Sequence, residues 1–155
     1  MAGSEKTSSM GSSLLLRDEI ETFAADWYRK LDEHVSVEQL IPMLAEREVE
    51  FLLPETSFRG VDAFRESYEG VIRLFFDESH TLQRVAVSGQ GDRVLVDVVV
   101  NWQARRWNPP APHSQWIGFD AYQQWEMIRS PLTGCPVILR YVVNELRPMP
   151  GSLPL

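Results

Sequence analysis

The chain has 155 residues, 44% of them hydrophobic and 24% charged, which suits one globular domain with a real core and excludes a disordered chain. Its formal net charge is −7 and its longest basic run in the strand region is Arg105-Arg106, which argues against nucleic acid or an anionic membrane surface as a partner. The single cysteine, Cys135, excludes an internal disulfide and a cysteine-rich zinc site, and fits a reducing, cytoplasmic compartment.

Residues 1–13, MAGSEKTSSMGSS, lack the apolar centre of a signal peptide and read as a flexible leader. Leu14-Leu15-Leu16 is far too short to span a bilayer. Asp18 to about His34 reads as a helix, because Ile20, Phe23, Ala24, Trp27 and Leu31 recur at spacings of three and four. Ser36 reads as the N-cap of a second, short helix with Leu40, Met43 and Leu44 on its apolar side. Glu48–Leu53 is a first strand ended by Pro54, and Phe58-Arg59-Gly60 is a short return segment. Asp62–Phe76 is a third helix with Phe64, Tyr68, Val71, Ile72, Phe75 and Phe76 on its buried side.

From His80 the period changes to two. His80–Ser88 is a strand, and Gly89-Gln90-Gly91-Asp92 is a hairpin turn. Asp92–Trp107 is a long strand, free of Gly and Pro and rich in β-branched residues. The proline-rich stretch 108–112 is a loop, Trp116–Arg129 a further strand, 130–136 a turn, and Val137–Arg147 the last strand. Residues 14–147 thus form one domain, and 148–155 a proline-rich C-terminal arm. Helices first and long hairpin-linked strands after predict an α+β fold: three N-terminal helices packed on a curled antiparallel sheet. The concave side of such a sheet is a natural ligand site.

The long strand alternates imperfectly. Val94, Val96, Val98, Val100, Trp102 and Ala104 form a uniform face suited to packing, a second subunit being one partner for it. Leu95, Asp97, Val99, Asn101 and Gln103 form a mixed face, suited to a cavity floor. A buried mid-strand carboxylate is expensive unless paired, so Asp97 is exposed, paired with a cation such as Arg140, or placed to serve a pocket.

The element order, with the segments LDEHVSVEQLIPMLAEREVEFLLP, FRGVDAFRESYEG and SHTLQRVAVSGQGDRVLVDVVVNWQAR, resembles the nuclear transport factor 2-like (cystatin-like) superfamily, nearest its SnoaL-like and scytalone dehydratase-like branch. The resemblance covers roughly residues 15–147. It implies a cone-shaped domain, a homodimer through the outer sheet face, and small-molecule chemistry without a cofactor. Dehydratase-like members place a Tyr and an Asp on the first helix and a His at the start of the strand after the third. That pattern falls on Asp32 and His80, with the tyrosine position on Trp27 and Tyr28 one residue along. Where such members use a second histidine deeper in the sheet, this chain offers Asp97, Asn101 and Gln103.

The expected catalytic set is therefore His80, Asp32, Asp97 and Asn101. A carboxylate beside an imidazole orients the ring and raises its basicity, which suits dehydration, double-bond isomerisation or aldol-type cyclisation. The expected substrate is a small, largely apolar carbonyl or polyketide-like molecule, contacted by Trp27, Tyr28, Phe51, Tyr68, Ile72, Val99, Trp116 and Tyr122. A non-catalytic module that binds an apolar ligand or a protein is the alternative. No metal is expected, since His34, His80 and His113 have no paired ligand spacing.

Overall fold

The structure, a computed structural model, describes residues 15–89 and 91–155. The leader 1–13, Leu14, and Gln90 of the expected hairpin turn lie outside the described residues. Helix α1 spans Arg17–Asp32 and buries Ile20, Phe23, Ala24, Trp27 and Tyr28 along the stripe that its spacing predicts. Asp18 and Glu19 stand in its first turn, where carboxylates complement the helix dipole. Glu19 also accepts a hydrogen bond from the Leu16 backbone at 3.2 Å.

The expected second helix is three separate 3-10 turns, Val37–Gln39, Ile41–Met43 and Glu46–Glu48. Ser36 precedes the first of them but makes no side-chain capping bond, and Pro42 interrupts the run. Strands β1 (Glu50–Leu52) and β2 (Ser57–Arg59) form a small antiparallel pair. Gly60 follows at φ 89°, a left-handed turn that feeds helix α2 (Val61–Leu74). Helix α2 ends two residues before the sequence pattern suggests: Phe75 and Phe76 already belong to β3, and Val71 and Phe76 are exposed rather than buried.

Strands β3 (Phe75–Ser88), β4 (Arg93–Arg106), β5 (Gln115–Arg129) and β6 (Pro136–Pro148) are long and antiparallel. The sheet order is β2-β1-β6-β5-β4-β3. Strand β1 runs parallel to β6, so the sheet is mixed. Register shifts interrupt β3 at Phe76/Ser79 and Leu82/Arg84, and β6 opposite Tyr122/Gln123 and Glu126/Met127. Each extra residue sharpens local twist and bends its strand.

One face of this sheet carries the core. Val94, Val96, Val98 and Val100 of β4, Trp125 and Met127 of β5, and Ile138 and Tyr141 of β6 pack with Ile20, Phe23 and Trp27 of α1 and Phe64 of α2. The two β4 faces are therefore reversed from the sequence-based expectation. The valine face meets the helices, and the Leu95–Gln103 face looks outward. On that outer face the C-terminal arm folds back: the Met149 N–H donates to the Gly118 carbonyl, and the Gly118 N–H to Ser152 Oγ. A Cβ on Gly118 would lie 2.7 Å from Met149 Sδ and 2.6 Å from the Trp116 ring, so only glycine admits this covering.

Candidate active site

Asp32 is the last residue of α1, and His80 stands on β3 opposite Trp102 of β4. The Asp32 carboxylate grips His80 twice. Oδ1 lies 2.6 Å from Nδ1, and Oδ2 accepts the His80 backbone N–H at 2.9 Å. The second bond fixes the carboxylate, so the first fixes the ring. With Nδ1 committed to Asp32, the neutral tautomer carries its free lone pair on Nε2, which has no hydrogen-bond partner among the described residues. The Tyr28 ring stacks on the imidazole at 4.9 Å, and Trp102 lies parallel to it at 6.2 Å.

His80 lines a cavity of about 230 Å³ between the helices and the inner sheet face. Leu31, Leu53, Val71, Val100, Ala121, Val143 and Leu146 make its walls apolar. Its polar groups are His80, Glu78, Trp102, Gln123 and Tyr141. Asp32, Tyr28 and the other side of His80 border an open groove outside, so the dyad forms the wall between groove and cavity.

Deeper in, Gln123 Oε1 accepts from the Tyr28 hydroxyl and from Trp125 Nε1, both at 2.9 Å. The Tyr141 hydroxyl stands 3.4 Å from that of Tyr28, at the long limit of a hydrogen bond. Burial pushes both phenols above their ordinary range, so each keeps its proton and remains a donor. Near His80, Trp102 Nε1 donates to Glu78 Oε1 at 2.9 Å, and His34 Nε2 makes a short hydrogen-bonding contact with Glu78 Oε2. Tyr68 donates to the Val35 carbonyl at 2.6 Å. Burial, with the Glu78 charge nearby, pushes its phenol up to about 12.

Of the expected catalytic residues, the structure brings Asp32 and His80 together and separates Asp97 and Asn101 from them. Asp97 is exposed on the outer face and accepts from Gln124, while Arg140 stands in register with Glu126 and Glu50. Asn101 is buried, but under the C-terminal arm: it donates to Asp120 at 2.9 Å and to Met149 Sδ at 3.2 Å. Gln103 and Trp116 complete that outer network.

The expected substrate contacts move too. Val99, Trp116 and Tyr122 alternate with inward residues and stay on the outer face. Trp27, Phe51 and Tyr68 pack in the core beside the cavity, Ile72 packs against it, and none of the four lines the cavity wall. Tyr28, one residue from the tyrosine position, is the ring that reaches His80, because Trp27 turns toward Phe64 and Tyr141. Glu78, His34, Gln123 and Tyr141 are absent from the expected set. The signal available for Glu78 was its place two residues before His80, on the same strand face.

Among the described residues no group of three or more His, Cys, Asp or Glu is spaced to hold a metal ion. No helix among them is long and apolar enough to cross a membrane.

A mixed, curled sheet closed by N-terminal helices over an apolar cavity is the nuclear transport factor 2-like, or cystatin-like, fold. No protein-family model matches the sequence, and comparison with curated proteins gives no significant match. Solved structures match over most of the chain. A nuclear transport factor 2-like superfamily protein from Salmonella enterica superposes with a TM-score of 0.66 at 17% identity, covering 86% of this chain and 92% of that one. A hexachlorocyclohexane dehydrochlorinase from Novosphingobium barchaimii superposes at 0.69 and 15% identity, covering 90% and 93%. A ketosteroid isomerase-like protein from Erwinia carotovora superposes at 0.63 and 17% identity, covering 84% and 93%.

Proposed function

We propose that the chain is a cofactor-independent lyase or isomerase acting on a small, largely apolar molecule, a carbonyl or polyketide-like compound being the best match. The observation that carries this reading is the His80–Asp32 dyad, its free Nε2 belonging to a ring that lines an apolar cavity. A base in that position removes a proton from carbon. Asp32 holds the ring and stabilises the imidazolium that forms, as a carboxylate does in other acid–base dyads. Charge that develops on a carbonyl oxygen needs a donor. Tyr141 supplies it: the residue lines the cavity, burial keeps its phenol protonated, and the Tyr28 hydroxyl stands 3.4 Å away.

The cavity limits the substrate. At about 230 Å³ it falls below the roughly 300–1,000 Å³ typical of drug-sized ligands, which favours one ring or a short chain. The neighbours' names point the same way in chemistry, toward dehydrochlorination and isomerisation.

The test is proton abstraction from a compact carbon acid. The purified protein should convert 5-nitro-1,2-benzisoxazole to its ring-opened nitrile, followed by absorbance. H80A should lower the rate by about 100-fold or more, the usual scale of general base catalysis. A rate unchanged by H80A removes the enzyme reading and leaves a ligand-binding module.

A further inference from the structure

We infer that Glu78, backed by His34, is a second proton-transfer group of the same cavity, placed to protonate a substrate oxygen at the indole N–H edge of Trp102. This rests on the reading of His80 as the base. The Glu78 side chain is only 4% exposed and lines the cavity together with His80 and Trp102. A buried carboxylate is costly unless its oxygens are engaged. Here Trp102 Nε1 takes Oε1 at 2.9 Å and His34 takes Oε2. The His34 side chain is 26% exposed, so the pair runs from bulk water to the cavity interior.

The backbone is bent to make this pair. His34, just past the end of α1, has φ 51°, and Asp77, in the β3 bulge, has φ 50°. Each is a left-handed non-glycine residue, a conformation disfavoured by the Cβ atom. The bulge lets Phe75 and Glu78, three residues apart, both turn inward. Bulges recur beside active sites because they re-aim side chains. Two left-handed residues converging on one histidine–carboxylate contact point to a working group rather than a packing accident.

The step balances as follows. His80 Nε2 takes a proton from carbon, and the C–H electrons form the new π bond. The bond to the leaving oxygen breaks, and that oxygen takes the proton shared by Glu78 and His34. His34 then takes a replacement proton from water, and His80 returns its own to water. Glu78 is the catalytic residue and His34 positions and supplies it.

Two probes separate the base from the acid. In 1,2-benzisoxazole and its 5-nitro derivative the same C–H proton is removed and the same N–O bond breaks. The departing oxygen is a poorer leaving group without the nitro substituent, so it depends more on a proton donor. E78Q and H34Q, matched to wild type by circular dichroism and melting, should each slow the unsubstituted compound by about tenfold more than the nitro compound, within the scale of general acid catalysis. Equal slowing of both probes, or none, overturns the inference. H80A reports on the base alone: loss with both probes supports it, and unchanged rates sink it without touching Glu78. Binding gives a readout independent of turnover. In tryptophan fluorescence titrations wild type should prefer 2-hydroxybenzonitrile over benzonitrile, and E78Q should lose that preference. A preference retained in E78Q also overturns the inference.

Discussion

The two faces of strand β4 share one backbone and do opposite work. The inner face is an apolar ladder, Val94 to Val100, that meets the helices and ends at Trp102 beside His80. The outer face holds the polar residues, Asp97, Asn101 and Gln103, and each finds a hydrogen-bond partner on its own sheet or under the arm. On β4, the carboxylate and amides within the strand thus do not mark the cavity. At this site the chemistry comes from the ends of elements. Asp32 closes α1, His34 follows it, and Glu78 and His80 lie at the start of β3. There the backbone can bend, and a carboxylate can meet a ring without interrupting a packed ladder.

The sharpest way to break this contrast is to remove one polar group from each face. H80A should cost about 100-fold or more in carbon-acid turnover, whereas N101A should leave turnover within about twofold, although it strips hydrogen bonds from buried partners. Kinetics on the benzisoxazole probes check both. Comparable losses would mean that the outer network, not the dyad, governs the chemistry.

Stability should show the same asymmetry. Trp125 is fully buried against Phe23, Tyr28 and Tyr141, so W125A should lose about 3–5 kcal/mol. Tyr122, three residues earlier on the outer face of the same strand, stacks with Arg147, and Y122A should lose about 1 kcal/mol or less. Urea unfolding of the two variants measures the difference. Smaller, Y28F removes the phenol that donates to Gln123, a loss of about 1 kcal/mol in the same assay.

Much of this was legible in the sequence. The helical stripe of α1 and the four long strands followed from spacing alone, because one buried face forces a period on each element. Asp32 and His80 were singled out by the resemblance to dehydratase-like members, whose acid and histidine positions fall on them. Which β4 face meets the helices did not. A strand of alternating Val and mixed residues is compatible with either orientation until its neighbours are placed, and here Trp125 and Tyr141 place it. His34 and Glu78 were hidden for another reason. Their meeting depends on two left-handed residues and a bulge, none of which has a glycine to announce it.

The N-terminal end of α1 offers a pH test of how the helix is tied to the sheet. Arg129 of β5 hydrogen-bonds Glu19, with Nη1 3.0 Å from Oε2, and holds that carboxyl below its ordinary value. A carboxylate whose folded pKa is depressed contributes stability above its unfolded pKa, and that contribution is lost as pH falls through the folded value. Acid melting of E19Q should therefore be flatter than that of wild type below about pH 4.5, with the two parallel above it. Identical acid limbs would show that the pair adds nothing to the docking of α1.

The smallest effect expected is at Asp97. Its carboxylate is exposed, its bond to Gln124 is 3.3 Å long, and it makes no ion pair among the described residues. D97A should stay within about 0.5 kcal/mol of wild type in urea unfolding and should leave turnover unchanged. The value of so small an effect is its contrast with His80, since both residues sit on long strands of one sheet. A loss above about 2 kcal/mol, or a fall in turnover, would mean that the outer face is sealed in solution by something the single chain does not supply, and that the division of labour between the two faces of β4 is wrong.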